Sequence, residues 1–195
     1  MISPKQARVK RSFDILLALF LLPFLMLPIV ILIIIASIDT KASGWFLQER
    51  IGQYGKPFKI FKIRSLKSGV HRLGNMDVYA SSFGSFLRTY KLDELPQLFN
   101  VLKGDMSFVG PRPDLPGFAD VLEGEDRIIL EIKPGITGPA TLKYRDEELI
   151  LAKQLDPDTY NRSIIWSDKV EINKKYIKNY SFYLDLIYLL KSIKN

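Results

Sequence analysis

The hydropathy pattern is dominated by an uncharged run near the N-terminus. Residues 15–38 carry no charged side chain and lie between Asp14 and Asp39. As a straight helix this run would extend about 36 Å at 1.5 Å per residue, which exceeds the roughly 30 Å hydrocarbon core of a bilayer. The pattern therefore predicts a membrane segment over residues 1–40, followed by a second unit over residues 41–195.

Two features distinguish the apolar segment from a simple transmembrane span. Pro23 and Pro28 lie in its middle, where each removes a backbone donor and favours a break or a kink. Basic residues also flank the segment on both sides, and the positive-inside rule places both flanks in the cytoplasm. They are Lys5, Arg8, Lys10 and Arg11 before it and Lys41, Arg50, Lys56, Lys59, Lys62 and Arg64 after it. A re-entrant hairpin accounts for both features, and a single span is the alternative. A signal peptide fits less well, because the apolar run is too long.

After residue 40 the pattern predicts a mostly α-helical unit with a small β element, hence an α/β fold class. Residues 45–66 are strand-rich, and the run FKIFKI predicts a short strand from which Lys59 and Lys62 project. Residues 67–82 predict a polar surface loop that contains an exposed His71. Periodicity and capping signals predict helices at 95–103, 118–132, 147–155 and 164–193, and a short helix or a turn at 85–90.

The C-terminal stretch has one apolar face. Tyr176, Ile177, Tyr180, Leu184 and Ile187 recur at spacings of three and four residues. Its tyrosines and lysines are typical of a helix that lies at a membrane interface, whereas its apolar face is equally suited to packing against a protein core.

Composition narrows the possible chemistry. The 195 residues include no cysteine and one histidine, which excludes disulfide scaffolds, cysteine nucleophiles and multi-histidine metal sites. The net charge of +7 indicates an anionic partner such as nucleic acid, anionic lipid or a phosphorylated substrate. A nucleic-acid-binding function is disfavoured, because no basic patch is interleaved with aromatic residues.

An acidic pair stands before a predicted helix. A proline is tolerated only in the first turn of a helix, so Pro96 places the start of the helix near Asp93 and Glu94. The helix dipole favours negative charge at this position. Asp93 is either a simple N-cap or a carboxylate kept ionised for nucleophilic or metal chemistry.

Several cations have the setting expected of phosphate ligands. Arg112 is held between two prolines in the sequence GPRP, and Arg88 lies just before the acidic pair. The loop KPGITGP, which contains Gly135 and Thr137, is either an ordinary turn or a place where backbone amides approach a ligand. Carboxylates beside such cations indicate metal-assisted phosphoryl chemistry.

Five segments carry a family resemblance. They are KRSFDILLAL, QERIGQYGKPFKIFKIRS, FLRTYKLDELPQLFNVLKGDMSFVGPRP, KPGITG and YIKNYSFYLDL, in this order along the chain. On these segments the chain resembles the bacterial sugar transferase family, the small monotopic polyprenyl-phosphate phosphoglycosyl transferases.

The resemblance implies a compact cytosolic domain on a re-entrant N-terminal membrane helix, with amphipathic helices at the membrane interface. It implies transfer of a sugar-1-phosphate from a UDP-sugar to undecaprenyl phosphate, with release of UMP, at the cytoplasmic face of the bacterial inner membrane. Downstream glycosyltransferases are expected partners, and nucleic acid is not. A catalytically silent scaffold that binds nucleotide sugar is the alternative.

The resemblance also implies residue roles. Asp93 is expected to attack the sugar-bearing phosphorus and form a phosphosugar-aspartyl intermediate, and Glu94 to help hold Mg²⁺. Lys59, Arg88 and Arg112 are expected to stabilise phosphate charge.

The sequence departs from the family pattern at two places that bear on donor recognition. Pro139 stands where the family often has tryptophan, and Asn173 where it often has aspartate, with Asp168 and Glu171 nearby. These departures leave the donor sugar open.

Overall fold

The computed structural model describes residues 2–67, 69, 74 and 76–194, and His71 lies outside them. Its first element is α1, a helix of 37 residues from Pro4 to Thr40. Ser3 and Gln6 form a capping box, in which each side chain accepts the other residue's backbone N–H. In the described part of the chain, α1 is the one helix long and apolar enough to cross a membrane.

Helix α1 continues through Pro23 and Pro28, so of the two predicted outcomes a break is not observed, and a kink at these prolines stays a prediction. Each proline removes a single backbone hydrogen bond, and the strong helix formers near them, among them Leu21, Leu22, Leu25, Met26 and Leu27, keep the remaining bonds. The re-entrant arrangement itself stays a prediction.

The remaining elements are short. The strands are β1 (Trp45–Ile51), β2 (Pro57–Ile63), β3 (Ser107–Val109) and β4 (Gly135–Thr137). The helices are α2 (Ser82–Thr89), α3 (Gln97–Lys103), α4 (Pro139–Lys143), α5 (Glu147–Leu151), α6 (Pro157–Tyr160), α7 (Trp166–Lys178) and α8 (Phe182–Lys194). Single 3-10 segments cover Gln53–Gly55, Met76–Tyr79, Leu92–Glu94, Ala119–Val121 and Gly124–Leu130, and a π-helical turn, Asn161–Ile165, joins α6 to α7.

The β element consists of two separate pairs of strands. The predicted strand at FKIFKI is β2, which pairs antiparallel with β1 so that Glu49 lies opposite Lys59. Strands β3 and β4 pair in parallel, which aligns Ser107 with Gly135 and Val109 with Thr137. The mostly helical fold with a small β element is therefore confirmed.

Several predicted elements need correction. Residues 118–132 form two 3-10 segments rather than one helix, since Gly124 adopts a φ of +56° that an α-helix does not allow. Residues 164–193 form the two helices α7 and α8. The loop KPGITGP contains strand β4 rather than only a turn.

The main core lies between the strands, α3, α7 and the first half of α1. Its buried members include Ala18, Ile60, Val101, Met106, Phe108, Val109, Ile129, Val170, Tyr176 and Ile177. The apolar face of α7 is therefore used in core packing. A smaller cluster of Ala36, Ile63 and Leu87 holds the end of α1.

Polar contacts fix α1 near its N-terminal end. Lys10 donates to Asp185 over 2.6 Å, and the hydroxyls of Tyr176 and Tyr180 donate to the same carboxylate over 2.5 and 3.1 Å. We call these four residues the anchor cluster. Because Asp185 and Lys10 are 2% and 7% exposed, this is a buried, fully engaged ion pair that joins α1 to α7 and α8.

Candidate active site

The acidic pair lies on a 3-10 turn that precedes α3. Lys91 opens this turn in the left-handed conformation, with a φ of +55°, and Pro96 occupies the N-cap position of α3. Asp93 therefore does not cap α3, which excludes the interpretation of Asp93 as a simple N-cap. Asp93 is 4% exposed, and no described residue donates a hydrogen bond to its Oδ1 atom. A buried carboxylate oxygen without a partner is costly, so it marks a place where a ligand is expected.

Two cations hold the pair. Lys62 Nζ lies 3.3 Å from Asp93 Oδ2 and 3.5 Å from Glu94 Oε1. Arg112 makes a bidentate pair with Glu94, at 2.5 and 3.3 Å. Burial opposes the ionisation of Glu94, but the charges of Arg112 and Lys62 outweigh it and hold the pKa of Glu94 well below its usual range. Glu94 is thus an anion at physiological pH, and it fixes the guanidinium of Arg112 beside Asp93.

The Arg112 loop is supported from behind by β4. Gly135 N–H donates to the Pro111 carbonyl over 2.8 Å, and Gly110 N–H donates to the Thr137 carbonyl over 2.9 Å. A Cβ atom on Gly135 would collide with the backbone nitrogen of Gly110. Gly135 and Thr137 are therefore placed behind the loop, where they position Arg112, and they do not line the cavity.

Substituting Gly135 by alanine is expected to destabilise the protein by about 1–3 kcal/mol, because the added methyl overpacks a backbone-to-backbone contact. The Arg112 loop should shift with it, so sugar-nucleotide turnover should also fall. Thermal unfolding measures the first effect. Gly117→Ala is the control for backbone strain alone, because alanine is strained at the φ of +90° found there but its methyl group would meet no atom within 4 Å. It should lose stability and keep wild-type turnover, whereas an equal loss of turnover in both variants would contradict the packing argument.

Basic side chains dominate the cavity beside Asp93, which has a volume of about 330 Å³. They are Arg50, Lys62, Arg64, Arg88, Arg112 and Lys169. Arg88 and Arg112 line this cavity together with Asp93, and their role as phosphate ligands stays a prediction, whereas Lys59 is exposed and does not line the cavity. Lys59 and Lys62 are three residues apart on one strand, so their side chains leave it on opposite faces. Lys62 is the lysine that reaches the acidic pair.

A third carboxylate, Asp114, lines the cavity two residues after Arg112. Burial raises the pKa of Asp114 to about 6, and Glu147 adds to the rise, although Lys169, Arg50 and Arg112 oppose it. Lys169 itself pairs with Glu147 at 2.6 Å. Beyond these groups the wall is aromatic, since Phe118 and Trp166 meet edge to face with ring centroids 5.5 Å apart.

The raised pKa of Asp114 predicts a pH-dependent stability. Below about pH 4 Asp114 is protonated in both the folded and the unfolded protein. Between about pH 4 and pH 6 the folded protein still holds the proton on Asp114, whereas the unfolded protein has lost it. The stability that this tighter proton binding gives the folded protein is lost as the pH rises through about 6. Asp114→Asn removes it. The melting temperature of this variant relative to wild type should rise by a few degrees between pH 4.5 and pH 7.5. A constant difference would contradict the assignment.

Comparison with known proteins identifies the family. A sequence model described as "Bacterial sugar transferase" matches residues 5–195. The chain belongs to the bacterial sugar transferase family. The uncharacterized sugar transferase EpsL of Bacillus subtilis (strain 168) is 34% identical to it, and the match covers 95% of this chain and 86% of EpsL.

Two named transferases are similar over nearly the whole chain. The UDP-N-acetylgalactosamine-undecaprenyl-phosphate N-acetylgalactosaminephosphotransferase of Aeromonas hydrophila is 34% identical over 98% of this chain and 44% of that protein. The UDP-glucose:undecaprenyl-phosphate glucose-1-phosphate transferase of Escherichia coli (strain K12) is 34% identical over 91% of this chain and 38% of that protein. This sugar transferase therefore spans less than half the length of either relative.

The acidic pair of the sugar transferase is compatible with Mg²⁺. The described residues contain no group of three or more histidine, aspartate or glutamate side chains that could enclose a metal. Mg²⁺ in phosphoryl-transfer sites usually takes one or two carboxylates and completes its shell with water and substrate phosphates. The unpartnered Oδ1 atom of Asp93 fits such an ion, and the Glu94 carboxylate has acceptor sites beyond the two used by Arg112.

The positions that depart from the family pattern have separate surroundings in this sugar transferase. Asn173 is buried, and no described residue pairs with its Oδ1 atom. Asp168 accepts from Lys143 and from the Tyr144 hydroxyl, and Glu171 pairs with Lys174. None of the three lines the cavity.

Sequence reasoning missed several cavity residues. The sequence patterns do not predict a role in the site for five residues that line the cavity: Arg50, Asp114, Glu147, Trp166 and Lys169. The signal available for Lys62 was the alternation of faces along β2. The others come from distant elements, and no local pattern marks them.

Proposed function

We propose that this sugar transferase moves a sugar-1-phosphate from a UDP-sugar to undecaprenyl phosphate and releases UMP. The observation that carries the proposal is the buried Asp93 carboxylate, which has one unpartnered oxygen and lies at the wall of a cavity lined by basic side chains. The named relatives act on UDP-sugars and undecaprenyl phosphate, and both substrates carry the phosphate charge that such a cavity attracts.

The reaction proceeds as two displacements at one phosphorus. A carboxylate oxygen of Asp93 bonds to the phosphorus that carries the sugar, while the bond from that phosphorus to the bridging oxygen breaks and UMP leaves with the electron pair. A phosphate oxygen of undecaprenyl phosphate then attacks the same phosphorus and displaces Asp93. The covalent intermediate replaces one difficult encounter of two large anions by two simpler steps.

The surrounding charges stabilise the transferred group. Arg112 is held by Glu94 at hydrogen-bond distance, so its guanidinium is oriented before substrate arrives. Together with Lys62 and Arg88 it faces the negative charge that spreads over the phosphoryl oxygens in the transition state. Mg²⁺ would be held by Glu94 beside Asp93 and would neutralise diphosphate charge.

Contacts at both ends of α1 support a re-entrant membrane segment. Asp14 accepts from the Ser107 hydroxyl over 3.0 Å, and Asp39 accepts from the Ser81 hydroxyl over 2.5 Å. If residues 15–38 crossed the bilayer, these contacts would lie on opposite faces of a roughly 30 Å hydrocarbon core. A single basic domain cannot touch both faces without entering the hydrocarbon. A segment that enters and leaves by one leaflet, bending near Pro23 and Pro28, avoids this.

Cysteine labelling tests the topology, because the amino-acid sequence contains no cysteine. Single cysteines are placed at Ser3 and Ser43 of the full protein in sealed vesicles, and each is treated with a membrane-impermeant maleimide. Both positions should react from the same side. Reaction from opposite sides would overturn the re-entrant proposal and establish a single span.

We further propose that the site lies at the cytoplasmic face of the inner membrane. The exposed apolar residues Tyr183, Leu190 and Ile193 on α8, together with Lys191, have the composition of a helix at a membrane interface. An undecaprenyl-diphosphate-sugar made there is the acceptor that downstream glycosyltransferases extend, which makes this the first membrane step of glycan assembly.

Release of UMP tests the proposed function. The purified full chain in lipid receives Mg²⁺, undecaprenyl phosphate and, one at a time, a panel of UDP-sugars. At least one UDP-sugar should yield UMP and a lipid-linked sugar diphosphate, and omission of Mg²⁺ should suppress both. If nucleotide binds but no donor turns over, the transferase proposal fails and a nucleotide-sugar-binding scaffold takes its place.

A further inference from the structure

Part of the cavity lining has features that the phosphate chemistry does not use. Phe118 and Trp166 form an aromatic wall there, and Arg162 lies over the Phe118 ring with its guanidinium carbon 4.5 Å from the ring centroid. Asp114 faces the same space, and no described residue makes a hydrogen bond or an ion pair with its carboxylate. A flat apolar wall beside a free carboxylate suits a planar ring joined to a group with hydroxyls.

Arg112 links these residues to the acidic pair. It pairs with Glu94 at 2.5 Å, its charge also acts on Asp114, and it lines the cavity together with Asp93, Phe118 and Trp166. The phosphate-binding cations and the aromatic wall therefore belong to one cavity.

The geometry of the displacement limits where the leaving group can lie. In phosphoryl transfer the attacking and leaving oxygens are roughly in line on opposite sides of the phosphorus. Asp93 attacks from one side, so the leaving UMP extends away from Asp93. Its nucleoside must therefore contact cavity residues other than the acidic pair, and Phe118, Trp166 and Asp114 are cavity residues that the phosphate steps do not use.

We propose that Trp166, Phe118 and Asp114 form the nucleoside subsite, in which the base stacks on the Trp166 ring and the ribose hydroxyls donate to the Asp114 carboxylate. This inference rests on the proposed function, since it takes the leaving group to be UMP. The aromatic wall supplies stacking that any base accepts, and the carboxylate supplies recognition of a ribose diol. The ion pair of Glu147 and Lys169 lines the same cavity.

The first test measures UMP affinity in the full chain carrying Asp93→Asn, by calorimetry in lipid nanodiscs. Trp166→Ala should weaken UMP binding about tenfold, as expected for loss of one base–aromatic stack. Trp166→Phe keeps a ring and should restore most of the affinity, which a merely disrupted fold would not do. Trp45→Phe is the matched control, because Trp45 packs against Phe61 and Phe99 and does not line the cavity.

The second test isolates the ribose contact. The protein with Asp114 intact should bind UMP several-fold more tightly than 2′-deoxy-UMP, because the deoxynucleotide lacks the 2′-hydroxyl that donates to the Asp114 carboxylate. In Asp114→Asn this preference should shrink towards unity. If the substitution only disturbed the structure, it would weaken the binding of UMP and 2′-deoxy-UMP alike and leave the ratio of their affinities unchanged. The ratio therefore distinguishes loss of the ribose contact from a structural effect.

The outcomes distinguish this inference from the proposed function. If UMP fails to bind, or if its affinity is indifferent to Trp166 and Asp114 while wild-type turnover persists, the subsite is overturned and the transferase stands. If both substitutions weaken UMP binding as described but no UDP-sugar turns over, the subsite is supported and the transferase fails.

Discussion

Replacing Asp93 by asparagine is expected to lower the rate of UMP release by at least about 10³-fold, the scale of loss seen when an enzyme loses its nucleophile. Asparagine matches aspartate in shape, and the cavity cations Lys62 and Arg112 remain. Donor binding should therefore be largely retained, and the loss should appear in kcat. The measurement is UMP release under saturating donor, with the acceptor present.

A second measurement distinguishes a nucleophile from a residue that merely binds Mg²⁺. When undecaprenyl phosphate is omitted, the wild-type protein should accumulate a phosphosugar adduct at Asp93, which intact-protein mass spectrometry detects and Asp93→Asn abolishes. Asp105→Asn is the matched control. Asp105 pairs with Lys103 at 3.0 Å, accepts from the side-chain amide of the buried Asn100 at 3.4 Å and does not line the cavity. Because asparagine keeps an oxygen that can accept from Asn100, this variant should turn over at the wild-type rate. Turnover of Asp93→Asn within tenfold of wild type would exclude the covalent route.

The acidic pair could be recognised from sequence because its signal is local. Pro96 fixes where α3 can start, and Gly104 ends it with a φ of +95°, so the turn that carries Asp93 and Glu94 is dictated within a dozen residues. The GPRP loop is similarly constrained by its own prolines. Such patterns specify their conformation without help from the rest of the chain.

The partners of the pair could not be predicted in this way. Lys62 comes from β2, Lys169 and Trp166 come from α7, and they meet Asp93 and Asp114 only because the core brings those elements together. Contacts of this kind depend on packing rather than on spacing along the chain. Alternation along β2 would have separated Lys59 from Lys62, although it could not show which face meets the acids.

The incorrect helix over 118–132 has a different cause. Its charged residues occur at helical spacing, but Gly124 adopts a φ of +56°, so the chain cannot continue as one α-helix through this position. The break between α7 and α8 did leave a signal in the sequence. The Ser181 hydroxyl accepts the Leu184 N–H over 3.3 Å, which is the pattern of a helix start.

The largest effect on stability is expected from Asp185→Ala, which removes the acceptor of the anchor cluster. Lys10 would keep a buried positive charge without a partner, and the hydroxyls of Tyr176 and Tyr180 would lose their acceptor. Removing one partner of a buried ion pair typically costs about 3–5 kcal/mol. For a chain of this length we expect the melting temperature in detergent to fall by roughly 10 °C.

Two further variants show whether this loss arises from the buried charge. Glu125→Ala breaks the Lys178–Glu125 pair, which joins side chains that are 53% and 82% exposed at 3.5 Å, and it should change stability by less than about 1 kcal/mol. The double variant Lys10→Met with Asp185→Leu removes both charges. It should recover most of the stability, because no unpaired charge is left in the core and no charge has to be taken out of water on folding. If the double variant melts as low as Asp185→Ala, the anchor cluster stabilises the junction of α1 with α7 and α8 through its hydrogen bonds to tyrosine rather than through the compensation of charge.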